Sequence, residues 1–192
     1  PHYKVHDYGD HHLRVSTIKI SIDGALGPHG AWLLEPYEDL PSSTGLALEP
    51  LDEFRASLRI ALENGFQVNT HAIGDRANRE VLDIYEQVLG DDIGTDHRWR
   101  IEHAQHLDTT DIPRFKELDI IASMQGIHCT SDAPFVEKRL GPDRAKYGAY
   151  PWRSLIDAGV VIANGTDAPV EDVDPIECFY ASVTRKRIDN GF

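Results

Sequence analysis

The chain has 192 residues, 41% of them hydrophobic, which is enough to bury one core and is read as a single domain over residues 1–192. Its 32 acidic side chains against 19 basic ones give a formal charge of -13, which repels phosphate backbones and anionic lipid surfaces and argues against nucleic acid as a partner. No apolar run approaches the roughly 20 residues that cross a bilayer, and no basic segment followed by an apolar one marks a signal peptide, so no membrane association and a cytoplasmic location are expected. Cys129 and Cys178 lie 49 positions apart with no CxxC pairing, which indicates reduced thiols rather than a disulfide framework. Pro1 stands first and the sole methionine, Met124, lies deep in the chain, so a native start is expected upstream and the chain is read as a fragment.

In chain order, the opening stretch PHYKVHDYGDHH is polar and histidine-rich and reads as a mobile surface segment. From about residue 14 short β-rich runs alternate with amphipathic ones, the pattern of repeated βα units around a parallel sheet. The first run is RVSTIKISID, in which Ile18, Ile20 and Ile22 face one way and Thr17, Lys19, Ser21 and Asp23 the other. Gly24–Gly45 is rich in Gly and Pro and reads as an elaborate loop over one mouth of the sheet. Leu51, Phe54, Leu58 and Ala61 then recur at helical spacing, followed by Gly65 in a left-handed stop position and the strand FQVNTH. Asp75 is placed to cap a second helix with a stripe of Ala77, Val81, Ile84, Tyr85 and Val88. The strand RWRIEH follows, then a helix that Asp108 or Thr109 would cap with Pro113 in its first turn. The strand DIIASMQ, the helix start PWRSLIDAG with Gly159 as its stop, and the strand VVIANGTD complete the pattern.

Four polar residues stand at or near strand C-terminal ends, each on a different βα unit: Lys19, His71, His103 and Asp167. In a closed parallel barrel the catalytic groups converge from those ends, because the loops there form the open mouth. His71 and His103 are 32 residues apart and His103 and Asp167 are 64 apart, twice that, with DIIASMQ skipped. Two histidines and an aspartate offer neutral nitrogen and anionic oxygen, a donor set that suits zinc or another borderline divalent ion. Lys19 faces the barrel interior, where a bare ammonium is costly; carboxylation of its amine would turn it into an anionic bridging ligand. Any one of these residues alone is ordinarily structural, and only their coincidence at strand ends singles them out.

The motifs KISIDGALG, NTHAIGDRAN, RIEHAQ, ASMQGIH with SDAP, YPWRSLIDAG and GTDAPVEDVDP, in this order from about Val15 to Arg185, resemble the amidohydrolase superfamily. Within it they are similar to the amidohydrolase 3 group, which includes N-substituted formamide deformylases. The resemblance implies an α/β fold, a partial TIM (β/α)8 barrel of about five βα units corresponding to strands 4 to 8. It places His71 and His103 on the fifth and sixth strands, Asp167 on the eighth, and Lys19 at the lysine of the fourth, where carboxylation and metal bridging occur in related members. The first-strand HxH pair of that family is absent here, and His11 and His12 lack the spacing and strand context to replace it.

The activity so implied is metal-dependent hydrolysis of C–N bonds of the amide, N-formyl or N-acyl type, not peptide bonds, in small molecules. One or two divalent ions, zinc first, would be bound in the intact enzyme, and a fragment is expected to be less well occupied and inactive alone. Lys19, His71, His103 and Asp167 would hold metal, Asp167 would also move the proton, and His128 and Asp132 would lie near substrate. Tyr150, Trp152 and Arg153 read more simply as an ordinary helix start. The alternative is a non-catalytic binding or regulatory domain on the same fold. Raw sheet edges in a five-strand arc predict pairing with another copy, a homo-oligomer.

Overall fold

The computed structural model describes residues 4–186; residues 1–3 of the histidine-rich opening and residues 187–192 lie outside the described residues. The described part of the opening is a small antiparallel hairpin and not the mobile segment expected. Strands β1 (Val5–Asp7) and β2 (Leu13–Val15) pair across a turn in which Asp7, Gly9, Asp10 and His11 are left-handed. Lys4 anchors it: its Nζ donates to the carbonyls of Asn64 and Gly65 at 2.9 and 2.6 Å and lies 5.1 Å from the Phe66 ring. Those carbonyls end a helix, where a cation is favoured by the unpaired C=O groups. Three-residue strands carry too little alternation to be seen in sequence.

The body of the protein is a parallel sheet of five strands arranged in chain order: β3 (Thr17–Ser21), β4 (Gln67–Ala72), β5 (Arg100–His103), β6 (Ile121–Met124) and β7 (Ile162–Asn164). Four of the five fall inside the runs read from sequence, and β4 extends one residue beyond FQVNTH, to Ala72. Each parallel neighbour needs a crossover, and helices supply it. Leu51–Glu63 buries Phe54, Leu58 and Ala61, and Asp75–Leu89 buries Ala77, Val81, Ile84 and Tyr85, the stripes expected from their spacing. Gly65 and Gly159 stop their helices at φ +63° and +79°. Ile112–Glu117 links β5 to β6, four short helices between His128 and Asp157 link β6 to β7, and Pro175–Thr184 follows β7. This is the α/β arc of five βα units that the sequence predicts. Among the described residues no helix is long and apolar enough to cross a membrane.

Two capping expectations differ from the structure. Asp75 is the first residue of its helix, behind Gly74, and its Oδ1 accepts the N–H groups of Leu34 and Arg76 at 2.8 and 2.9 Å, so it ties down the long loop as well as the helix start. Asp108 accepts the Thr110 N–H at 2.9 Å in a turn that precedes the helix, and Asp111 takes the position before Ile112, where it binds Arg79 and Arg114. In both places an acidic side chain is recruited by a partner distant in sequence.

The Gly24–Gly45 loop crosses the sheet mouth and has a core of its own, with Leu26, Ala31, Leu33 and Tyr37 at most 1% exposed. Arg139 pins it by two hydrogen bonds to the Gly27 carbonyl, at 3.1 and 2.9 Å, and by an ion pair to Asp39; Arg144 holds the Glu35 and Pro36 carbonyls at 3.0 and 2.8 Å. The loop also lies hard against the start of the Asp75–Leu89 helix. A Cβ added at Gly74 would sit 2.0 Å from the Trp32 carbonyl oxygen, so only glycine permits this approach. Gly74→Ala is therefore expected to lower stability by about 1–3 kcal/mol, as overpacking does. Gly165→Ala, whose added Cβ meets nothing within 4 Å, should leave the denaturation midpoint near the native value.

Candidate functional site

In a parallel ladder, register partners point to the same face of the sheet. Lys19 pairs with Asn69 and Asn69 with Arg100; Ser21 pairs with His71 and His71 with Glu102. The concave face is thus polar, crossed by an Arg100–Glu102 ion pair of 2.6 Å, while Ile18, Val68, Thr70, Ala72 and Ile101 turn toward the helices. Lys19 lies on the concave face as its alternation requires, one pleat below His71. Its side chain is exposed, so the burial cost inferred for a bare ammonium in a barrel interior does not arise in this structure.

His103 breaks the alternation. It pairs with Ala72, which would send its ring to the helix side together with Ile101. Its backbone, however, is left-handed at φ +77°, as is that of Ala104 at +42°, and the ring instead meets His71 edge-on with centroids 4.5 Å apart. Such conformations cost a non-glycine residue about 1–3 kcal/mol each and persist where surrounding contacts impose them. Asp167 is also left-handed, at φ +58°.

Around this turn the side chains converge. His103 Nδ1 donates to Gln125 Oε1 at 2.7 Å, and since Gln125 Nε2 donates to the Ser123 carbonyl, Oε1 is the acceptor and His103 Nε2 keeps its lone pair free. The His128 ring stacks on His103 with centroids 5.8 Å apart, and His128 Nε2 lies 3.9 Å from Asp167 Oδ2. One donor atom from each of His103, His128 and Asp167 falls within 4.8 Å of the others. His128 Nε2 is buried and has no hydrogen-bond partner among the described residues, as expected of a ligand atom waiting for an ion. Burial pushes the His103 pKa down to about 3; the neighbouring His71, His128 and Lys19 act in the same direction, and the bond to Gln125 opposes them. A neutral imidazole is the form that binds metal.

The structure therefore brings His71, His103 and Asp167 to one place, as their strand-end positions predict, and adds His128 as a close member; Lys19 stands apart on the same face. Sequence reasoning missed Gln125, though it ends the very strand set aside as skipped. It also missed Asp23, which accepts the N–H groups of Trp32, Ile73 and Gly74 at 2.8 to 2.9 Å and lies 3.4 Å from His71 Nε2. Both stand at strand C-terminal ends, the signal that singled out the histidines.

Asp132 sits behind His128 in a second polar layer. Its Oδ2 accepts from Tyr150 Oη at 2.5 Å and from Gln105 Nε2 at 2.8 Å. Burial raises the Asp132 pKa against the opposing pull of these bonds and of His128, and burial together with Asp132 raises that of Tyr150. Tyr150, passed over as part of a helix start, is thus a buried bridge; Trp152 is buried beside it, and Arg153 is exposed and paired with Asp157. His106 closes the layer, buried and held neutral, its pKa pushed down to about 3 by desolvation. The unfolded chain protonates this ring below about 6.5 and the folded chain does not until about 3. Stability from His106 is thus complete above 6.5 and declines as pH falls toward 3. Between pH 7.5 and 5 the loss is about 2 kcal/mol, and His106→Gln should show a shallower decline in denaturation midpoint over the same interval.

A sequence profile described as the amidohydrolase family matches residues 3–191. Over 173 residues the chain is 39% identical to the Arabidopsis thaliana protein LONG AFTER FAR-RED 3, covering 90% of this chain and 30% of that protein. It is also 39% identical over 175 residues to YtcJ of Bacillus subtilis (strain 168), named as a candidate amidohydrolase, covering 91% and 32%. A crystal structure of an uncharacterized metal-dependent hydrolase from Pyrococcus furiosus superimposes with a TM-score of 0.82 at 34% identity, over 93% of this chain and 36% of that one. The chain thus spans about a third of the length of these relatives.

Proposed function

The chain belongs to the amidohydrolase family, and from that premise we propose that it carries the metal-holding wall of a hydrolase centre that cleaves C–N bonds of the amide, N-formyl or N-acyl type in small molecules. The observation that carries this reading is the convergence of His103, His128 and Asp167 donors within 4.8 Å, with His71 against His103. Two neutral nitrogens and one carboxylate oxygen fit a borderline divalent ion, zinc first, and the unpartnered His128 Nε2 supplies the vacant lone pair such an ion would take. When bound, the ion supplies Lewis acidity at the carbonyl under attack and makes water a stronger acid.

The remaining work falls to the chain. Asp167, the most exposed of the three, holds a carboxylate oxygen where it receives the proton of the attacking water and returns it to the leaving nitrogen. His103, held by Gln125, keeps a fixed orientation with His71 packed edge-on against it, which spares reorganisation during reaction. Asp132, held by Tyr150 and Gln105, borders the site beside His128 and orients polar groups of the substrate. Lys19, once carboxylated, would add an anionic oxygen on the same face.

Zinc or manganese titrated into the chain is expected to bind, and His103→Ala should weaken that affinity at least tenfold, as loss of a ligand does. In the full-length protein, Asp167→Asn should reduce hydrolysis of N-formyl and N-acyl amines by about 10²–10⁴-fold, the usual share of a positioned acid-base group. Failure of the native chain to take up either ion would remove the reading. Uptake of metal by the full-length protein without hydrolysis of any such amine would favour a non-catalytic binding role.

A further inference from the structure

Resting on the reading of this mouth as a hydrolase site, we propose that Asp132 and Glu171 form a subsite that selects substrates carrying, besides the amide, a protonated amine. Asp132 follows His128 by four residues, and its N–H donates to the His128 carbonyl at 2.9 Å, which closes one helical turn and puts both side chains on the same face. The carboxylate is fixed from behind. Tyr150 Oη donates to its Oδ2 at 2.5 Å and Gln105 Nε2 at 2.8 Å, and both donors are buried, so the group does not swing away. Oδ1 accepts from no other described residue and is not one of the sealed, unpartnered atoms of the interior, so it stays accessible.

One oxygen of this carboxylate is satisfied and the other lacks a donor, a costly state for an anion that is partly buried. Burial raises the Asp132 pKa first of all and Glu171 raises it further, against the bonds from Tyr150 and Gln105 and the nearby His128. Glu171 is half-buried on the loop beyond β7, so carboxylates reach this side of the mouth from two segments. Neither is ion-paired among the described residues. Arg185 is engaged elsewhere, since it donates to the Tyr150 carbonyl and lies 5.0 Å from the Trp152 ring. What this side lacks is a cation that donates hydrogen bonds, and a substrate ammonium is both. A neutral alkyl group would leave Oδ1 unpaired while displacing its water, and a substrate carboxylate would meet two like charges.

Monoacetylated diamines of graded length, each matched with the N-alkylacetamide and the acetamido acid of the same length, are titrated calorimetrically into the full-length protein with and without zinc, at about pH 7.5, where the amine is protonated. At the best length the amine should bind about 10–100-fold more tightly than the neutral amide, the share of hydrogen bonds to a charged group, and the acid should bind least. Asp132→Asn should remove this preference with zinc affinity unchanged, and Tyr150→Phe, which deletes one of the two donors holding Oδ2, should reduce it. A merely structural role would weaken all three ligands and zinc together. Equal binding of amine and neutral amide at every length overturns the proposal, as does a preference that survives in folded Asp132→Asn. If that variant does not fold, Glu171→Gln decides: a reduced preference supports the subsite and an undiminished one overturns it. An amine preference in a protein that hydrolyses none of these amides supports the subsite and counts against the hydrolytic reading alone; hydrolysis with no amine preference does the reverse.

Discussion

The buried carboxylate of Asp23 is the contact on which the rest of the site depends. Three segments distant in sequence meet at its two oxygens: the end of β3, the Trp32 turn of the long loop, and the corner where β4 passes into its helix. The first supplies the carboxylate, the loop one backbone N–H and the corner two, and each of these N–H groups would be costly to bury alone. A charged acceptor with several lone pairs satisfies all three at once, and charge-assisted bonds of this kind are about twice as strong as neutral ones. Because Ile73 and Gly74 follow His71 by two and three residues, holding their N–H groups also fixes the peptide path that carries the histidine.

Glycine makes this clasp possible. The Trp32 carbonyl accepts from both Arg76 and Ala77 at the first turn of the helix, which brings its oxygen to a place that any side chain at position 74 would occupy. The loop that crosses the mouth is therefore part of the scaffold, with its own buried core and two arginines clamping its far side. A rigid loop suits a site whose histidines must stay neutral and fixed, since it excludes water from one side and leaves Asp167 as the exposed member.

Backbone strain is also present at this place. His103, Ala104 and Asp167 are left-handed without being glycine, and each lies where a strand ends and a side chain must turn to the mouth. The cost is met by contacts that leave no alternative: Gln125 on one nitrogen of His103, His71 and His128 on its two sides. The Asp132–Tyr150–Gln105 layer does the same for the segment that carries His128, through a hydrogen-bonded network in which every member is at least partly buried.

The sequence by itself determined the elements and their order. Alternation in TIKIS and QVNTH, the helical stripes of Phe54–Leu58–Ala61 and Ala77–Val81–Ile84, and the glycine stops at 65 and 159 are local properties that the backbone expresses wherever it lies. Once a parallel sheet follows from them, His71, His103 and Asp167 fall near one mouth, and the family motifs agree. Only the tertiary structure decided which side chains meet. That His128 joins Asp167, that Asp23 faces His71, and that Tyr150 bridges to Asp132 are pairings over 39, 48 and 18 residues, with no periodicity to announce them. Alternation alone would even have sent His103 to the wrong face. Its direction is set by a backbone angle that a histidine rarely adopts, in a ring packed against His71, Gln125 and His128.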